Sequence, residues 1–129
     1  MKQSDEDKTN SASTKRKSHN RVADRAQDAE ECSAQFAINL IQGKWKTRIL
    51  SRLQHGPSRL SELNRLFPGA SKKMLAQHLR QLEKDGLVIR SDLSGRVRHV
   101  EYSLSNSLGL AALSLIETLA KWGTEYLRH

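Results

Sequence analysis

One segment of the chain, residues 71–98, constrains the fold more than any other. A serine that can cap a helix is followed by leucines at helical spacing, and the helix is expected to stop at Gly86. Two runs rich in β-branched and aromatic residues come directly afterwards, joined by Ser94 and Gly95, a pair suited to a turn. The segment therefore predicts a capped helix followed at once by a β-hairpin.

The predicted helix has two different faces. At about 100° per residue, Leu75, Leu79 and Leu82 fall on one stripe, which we expect to pack against a core. The opposite side carries polar and basic residues, namely Lys73, Gln77, Arg80 and Lys84. Such side chains suit the phosphates and base edges of DNA. An ordinary solvent-exposed helix can also have a basic outer face. The choice between DNA contact and simple solvent exposure therefore depends on the neighbouring segments.

Two more helices are predicted upstream. Leu60, Leu63 and Leu66 have helical spacing, and a glycine-containing turn at residues 67–71 separates them from the next helix, as a helix-turn-helix requires. An earlier helix is predicted from the apolar residues Trp45, Ile49, Leu50 and Leu53 and ends at residues 55–57.

A long apolar helix is predicted over residues 106–127. Its apolar residues are Leu108, Leu110, Ala111, Leu113, Leu115, Ile116, Leu119, Trp122 and Tyr126. They cover more than one stripe, whereas a surface helix of a small domain normally has one apolar face. The excess implies a second burial partner, and the economical partner is another copy of the chain. We therefore expect a homodimer.

The charge of the chain favours a polyanionic partner. The formal net charge is +8 and the pI is near 10.0. Acidic and basic residues balance one another over residues 1–31, so the whole excess belongs to residues 32–129. Residues 1–31 are expected to be a disordered or weakly helical charged extension, and residues 32–129 a folded domain.

Composition and motifs argue against several other classes of protein. The single cysteine excludes an internal disulfide and fits a reducing compartment. No apolar run is long enough to cross a bilayer and no signal region is present, so a cytoplasmic location without membrane contact is predicted. The histidines show no metal-ligand spacing, and no glycine-rich phosphate loop or Ser/His/Asp grouping is found. We expect no enzymatic activity and no cofactor.

The predicted hairpin carries basic residues. Arg96 and Arg98 alternate with Val97 on the expected second strand, so both would point to one face and suit the DNA backbone or the minor groove. The alternative is an exposed strand edge that positive charge protects from pairing.

Two further groups of residues could contact phosphates. Ser58, Arg59 and Ser61 lie at or before the start of the short helix, where hydroxyls and helix amides position phosphates well. The lysines on both sides of Trp45 could do the same. The alternative is that they are long side chains that extend around a buried tryptophan, and we expect Trp45 itself to belong to the core.

Five ordered blocks of sequence resemble the HxlR-type regulators, which are bacterial winged helix-turn-helix transcription factors related to the MarR group. The blocks are residues 43–50, 56–63, 68–75, 79–88 and 100–104. The resemblance extends over about residues 32–123. It implies a homodimer with terminal helices in the interface, and DNA recognition through the helix after Ser71 and through the hairpin, or wing. The wing has Ser94, Gly95 and Arg96 where many members have prolines.

The resemblance also implies that a cysteine just before the first helix acts as a redox switch, and Cys32 occupies that place. The family usually has Cys-Pro there, whereas this chain has Cys32 followed by Ser33. A position before a helix favours a reactive thiolate, but Glu30 and Glu31 oppose it. A half-buried, unreactive thiol is the alternative.

The sequence thus predicts an α+β, mostly helical fold: a winged helix-turn-helix with a long C-terminal dimerisation helix. The predicted partner is double-stranded DNA with a pseudo-palindromic operator. The predicted DNA-binding residues are Arg59, Ser61, Lys72, Lys73, Gln77, Arg80, Arg96 and Arg98. Two rival functions remain open, a small-molecule-sensing regulator with an inert cysteine and a winged-helix module that binds RNA or protein.

Overall fold

The structure, a computed structural model, describes residues 32–129, so the predicted extension at residues 1–31 lies outside the described residues. In chain order the elements are α1 (Ser33–Ile41), α2 (Lys44–Leu53), α3 (Leu60–Leu66), α4 (Lys72–Lys84), β1 (Val88–Asp92), β2 (Val100–Leu104) and α5 (Leu108–Leu127). Residues 40–129 form one compact unit that includes only the end of α1, and the earlier residues of α1 are described by themselves. This order confirms the predicted winged helix-turn-helix.

Helix α4 begins and ends as its sequence predicts. The Oγ of Ser71 accepts a hydrogen bond of 3.0 Å from the amide of Met74, which satisfies one of the unpaired amides of the first turn. At the other end Gly86 has a φ of +82°, where a side chain would be strained. The amide of Leu87 then donates to the carbonyl of Leu82, and that of Gly86 to Glu83, which completes a Schellman motif.

The core lies between α2, α3, α4, the sheet and α5. Its buried apolar residues are Ile41, Ile49, Leu50, Leu53, Leu63, Ala70, Leu75, Leu79, Leu82, Leu87, Val88, Ala112 and Ile116. The three leucines on the inner stripe of α4 are fully buried, as their spacing predicts. Burial of this stripe fixes the direction in which the opposite face of α4 points.

The turn between α3 and α4 is held at both sides. The side-chain amide of Asn64 donates a hydrogen bond of 3.0 Å to the carbonyl of Ala70, across the turn. The ring of Trp45 lies against Gly69 so closely that a Cβ there would be 3.3 Å from its Cη2 atom. Phe67 packs on the same ring, with centroids 5.7 Å apart. These contacts fix the crossing of the two helices.

The wing differs from its prediction in length. Strands β1 and β2 pair antiparallel, with Val88 opposite Leu104 and Asp92 opposite Val100. The connection is the whole of residues 93–99, and not a tight turn at Ser94 and Gly95 alone. Arg96 and Arg98 therefore lie in this wing loop, so their predicted place on a strand was wrong. On its other side β2 is paired by a single residue, because Ser58 and Tyr102 exchange two backbone hydrogen bonds as an isolated antiparallel bridge.

Helix α5 starts two residues later than predicted, at Leu108, and it leaves much apolar surface exposed. Its exposed large apolar residues are Leu108, Leu110, Leu115, Leu119, Trp122, Tyr126 and Leu127. Only Gly109, Ala112 and Ile116 are buried along it. No helix of the described residues has both the length and the apolar character that a membrane span needs.

Candidate nucleic-acid interface

The outer face of α4 presents side chains that are available for contact. Lys73, Gln77 and Arg80 are exposed, as is Lys84 one turn further on. Within residues 32–129, none of these side chains has a hydrogen bond or an ion pair. Because α4 is anchored by its leucine stripe, this face can approach a partner without rearrangement of the helix. We call it the outer face of α4.

A small cleft joins the start of α4 to the wing. It has a volume of about 250 Å³, and Arg59, Ser61, Lys72 and Arg98 line it together with Tyr102 and other apolar groups. The guanidinium of Arg59 donates a hydrogen bond of 3.3 Å to the carbonyl of Arg98. No acidic residue of the described chain lines this basic cleft. Four of the predicted DNA-binding residues, from three separate segments, are thus brought together.

The wing loop is closed by its own hydrogen bonds. Asp92 Oδ1 accepts from the amide of Ser94 at 3.0 Å, and the Ser94 hydroxyl accepts from the amide of His99 at 2.9 Å. Hydrogen bonds from Ser94 lower the pKa of the Asp92 carboxyl below its usual value. The closed loop leaves Arg96 and Arg98 exposed, where a polyanion can reach them.

The start of α3 corrects one prediction. Ser58 is fully buried, so it is not available to position a phosphate. Its backbone instead pairs with Tyr102. The side chain of Glu62 turns back and accepts a hydrogen bond of 2.7 Å from the amide of Arg59. Ser61 remains half-buried at the rim of the basic cleft.

The surroundings of Trp45 support the packing interpretation of its neighbouring lysines. Trp45 is half-buried against the core, and the ammonium of Lys44 lies 4.9 Å from the centre of its ring. Lys46 instead lies near His78 of α4. Burial lowers the pKa of His78 from its usual 6.5, and the positive charge of Lys46 lowers it further. Both lysines therefore have local partners within the fold.

Cys32 is exposed, so the alternative of a half-buried thiol was wrong. It directly precedes α1, and the amide of Gln35 approaches its Sγ at 3.4 Å. Residues 32–129 contain no other cysteine, and no group of histidine, cysteine or acidic residues among them could hold a metal ion.

One structural connection was missed by the sequence analysis. The Oγ of Ser105 donates a hydrogen bond of 2.8 Å to the carbonyl of Gly86 and accepts one of 2.7 Å from the amide of Gly109. It thereby links the end of α4 to the start of α5. A glycine in the first turn of a predicted helix was the available signal, since it often marks a close approach of backbones.

Known proteins are similar to this chain in sequence and in fold. The family model described as "HxlR-like helix-turn-helix" matches residues 40–129. The HTH-type transcriptional regulator YtcD of Bacillus subtilis is 40% identical over 95 residues, which cover 74% of this chain and 75% of that relative.

Two solved structures extend the comparison. A transcriptional regulator of the MarR family from Enterococcus faecalis V583 is 34% identical, with a TM-score of 0.70 over 76% of this chain and 88% of that one. The redox regulator HypR in its reduced form is 31% identical, with a TM-score of 0.68 over 72% of this chain and 91% of that one. On the match to its family model and on these relatives, the chain belongs to the HxlR-like helix-turn-helix family.

Proposed function

We propose that this chain is a sequence-specific, DNA-binding transcriptional regulator that acts as a homodimer, and not an enzyme. One observation carries the proposal: the basic cleft joins the start of α4, at Lys72, to the basic wing loop. Lys72 at the start of α4 and Arg98 of the wing loop line the same cleft. A helix and a neighbouring hairpin can therefore meet one DNA duplex together.

The two parts of this surface would have different tasks. Arg59, Ser61, Lys72 and Arg98 suit phosphate oxygens, since they combine positive charge with hydrogen-bond donors. Residues on the outer face of α4, Lys73, Gln77 and Arg80, suit base edges, because Arg pairs with guanine and Gln with adenine in the major groove. Affinity would come mainly from the first group and sequence preference from the second.

The proposed homodimer is supported by α5. This helix exposes several leucines and two aromatic residues; the exposed fraction is 64% for Trp122 and 66% for Tyr126. Exposed apolar area of this kind marks an interaction surface. A two-fold dimer would present two copies of α4 and would require a pseudo-palindromic operator with half-sites about 34–36 Å, or a multiple of that distance, apart.

Selection from randomised duplex DNA tests this function. The full chain should enrich a two-fold-related site, and it should bind that site more tightly than random duplex at the same salt concentration. A duplex RNA of the enriched sequence is the control for the rival RNA-binding function, since its major groove is too narrow for a helix. Failure to enrich any sequence, or equal binding to RNA, would overturn the proposal.

A second candidate, redox control through Cys32, is favoured by the exposure of this thiol. Cys32 is exposed at the start of α1, and the structurally similar HypR is described as a redox regulator. Because the chain has a single cysteine, oxidation to a disulfide would join Cys32 to Cys32 of a second copy. Such a bond would change the spacing of the two DNA-binding surfaces.

Oxidation of the purified protein tests this control. Diamide should produce a dimer band on a non-reducing gel and change the affinity for the selected DNA, and reductant should reverse both effects. Cys32→Ser is the matched control and should show neither effect. If wild type showed no dimer band and no affinity change although its thiol reacted with a maleimide, Cys32 would not be a switch.

A further inference from the structure

The first strand of the wing carries a basic residue outside the predicted DNA-binding set. Arg90 lies in the middle of β1 and is exposed. In the register of the sheet it is paired with Tyr102 of β2. Side chains along a strand alternate between the two faces of a sheet, and residues directly opposite each other share a face. Arg90 and Tyr102 therefore lie on the same face of the wing.

This face of the wing borders the basic cleft. Tyr102 and Val100 both line the cleft, and they are two residues apart on β2, as residues of one face must be. Val100 is paired with Asp92, so Asp92 belongs to the same face. The face thus continues from the cleft across β2 to Arg90 and Asp92 on β1. We call these four residues the cleft-side face of the wing.

The charged groups near the end of β1 are close enough to act on one another. Hydrogen bonds from Ser94 lower the pKa of the Asp92 carboxyl most, and the positive charges of Arg90 and Arg98 lower it further. Within residues 32–129, neither guanidinium forms an ion pair with this carboxylate. Two arginines therefore lie near one acidic group, and both keep side-chain donors available for another anion.

An alternative role for Arg90 is protection of a sheet edge. Among the described residues β1 pairs only with β2, and a positive charge on an edge strand discourages pairing with another chain. That role needs a charge anywhere along the strand. The actual position of Arg90 is more specific, because it shares a face with Tyr102, and Tyr102 lines the cleft beside Lys72 and Arg98. This arrangement favours one polyanionic partner for all three basic residues.

From this placement we propose that Arg90 is a further DNA-contacting residue, which binds a backbone phosphate beside the basic cleft. The planar guanidinium suits two oxygens of a phosphate at once. Asp92 lies on the same cleft-side face of the wing, so its negative charge repels this phosphate and limits the strength of the contact. The inference rests on the proposed DNA-binding function and extends its surface from the wing loop onto β1.

Titration of the full chain with duplex DNA at several salt concentrations tests Arg90. Arg90→Gln should lower the slope of log affinity against log salt by about 0.9 for each lost phosphate contact, which is about two for a dimer. At about 0.1 M salt, its affinity for operator and for random duplex should fall by about tenfold or more. Arg90→Lys keeps the charge and should keep the slope.

Arg128→Gln is the matched control for this titration. It makes the same chemical change at an exposed arginine that ends α5 and has only α5 residues around its cleft. This variant should bind duplex DNA as the wild type does. Thermal unfolding followed by circular dichroism shows whether each variant is folded, and Arg90→Met, which keeps a long side chain, replaces Arg90→Gln if the latter is not.

Asp92→Asn supplies a test with the opposite sign. Asparagine can still accept the hydrogen bond from the Ser94 amide, so the wing loop stays closed while the negative charge is removed. Its affinity for every duplex should rise by about twofold or more at low salt, because one repulsion is lost in each subunit. Glu117→Gln removes an exposed carboxylate from α5 and should leave the affinity unchanged. A purely structural role for Asp92 would give weaker binding instead.

Three results would overturn the inference. They are an unchanged salt slope in a folded Arg90 variant without the charge, an equal loss of affinity in Arg128→Gln, and an Asp92→Asn protein that binds no more tightly than the wild type. If the wild type binds no duplex at all, the proposed function fails and this inference fails with it. If the wild type selects an operator and Arg90→Gln keeps the full slope, the inference fails alone.

Discussion

Ser105 and Gly86 are joined by a hydrogen bond of 2.8 Å from the serine hydroxyl to the glycine carbonyl. This bond connects the end of α4 with the segment that begins α5, and the Ser105 amide adds a second link of 3.0 Å to the carbonyl of Leu87. The proposed DNA-reading helix is therefore attached directly to the proposed dimerisation helix. A change in the pairing of two α5 helices would alter the positions of both α4 helices.

Two glycines of α5 provide a matched test of this attachment. A Cβ at Gly109 would lie only 2.3 Å from the carbonyl oxygen of Leu87, so Gly109→Ala should destabilise the protein by about 1–3 kcal/mol through overpacking. At Gly123 no atom lies within 4 Å of the added Cβ, and Gly123→Ala should stabilise by about 0.5–1 kcal/mol through helix propensity.

Urea denaturation at one fixed protein concentration measures both changes, since a dimer's stability depends on concentration. Equal effects of the two substitutions would show that the contact between Gly109 and Leu87 does not constrain the fold.

Substitutions on the outer face of α4 should affect sequence preference. If Arg80 or Gln77 makes a bidentate contact to a base, its change to Ala should cost about 1–3 kcal/mol on the selected operator and relax the preference at one position. Competition titrations with single-base variants of the operator measure both effects. Unchanged binding to operator and random DNA by folded Arg80→Ala and Gln77→Ala proteins would show that α4 does not read the sequence.

Substitutions in the wing loop should have a different signature. Arg96→Ala and Arg98→Ala remove exposed positive charge, so they should weaken binding to every duplex alike. The slope of log affinity against log salt should fall by about one for each phosphate contact that is lost. Fluorescence anisotropy at several salt concentrations gives this slope. An unchanged slope would place both arginines outside the interface.

The apolar face of α5 predicts the oligomeric state. Leu115 is 38% exposed on this face, and Leu115→Glu should convert dimers to monomers or insoluble protein, because a dimer would bury the new charge without a partner. Gln77→Glu adds the same charge on α4 and should leave the dimer intact. Sedimentation velocity distinguishes the species. A folded wild-type monomer at high concentration would exclude the dimer.

The stability of the fold should depend on pH through His78. Its pKa is lowered from 6.5 by burial first and by Lys46 second, so the folded protein favours the neutral ring. The stability that this provides is present above pH 6.5 and is lost as the pH falls through the lowered value.

Nuclear magnetic resonance titration should place the His78 midpoint below 6.5, and Lys46→Met should raise it without restoring the usual value. His78→Gln should reduce the loss of stability between neutral and mildly acidic pH. A midpoint at or above 6.5 in the wild type would contradict the burial of this ring.

Local signals predicted most of the architecture. Ser71 and Gly86 predicted where α4 begins and ends, because a helix cap and a left-handed backbone conformation each depend on a single residue. The leucine stripe predicted which face of α4 is buried, since its period is that of the helix. The candidate DNA-binding residues of the outer face of α4 followed from the same pattern.

Features that depend on long-range contacts could not be predicted. Ser58 is buried, and its backbone pairs with Tyr102, a residue far away in the chain. No local sequence pattern predicts that pairing. The wing loop was predicted too short because the hydrogen bonds between Ser94 and His99 close a wider connection than a two-residue turn.

The left-handed conformation of Gly86 has a consequence for how much DNA one subunit can read. It ends α4 after 13 residues, which is a length of about 20 Å. Base pairs follow one another every 3.4 Å or so, and a helix of this length therefore spans about six of them at most. A word of six base pairs recurs by chance about once in every 4,000 positions, which is on the order of a thousand times in a genome of about four million base pairs. One subunit could not single out a promoter, so selectivity in the proposed complex must come from two copies reading one site together.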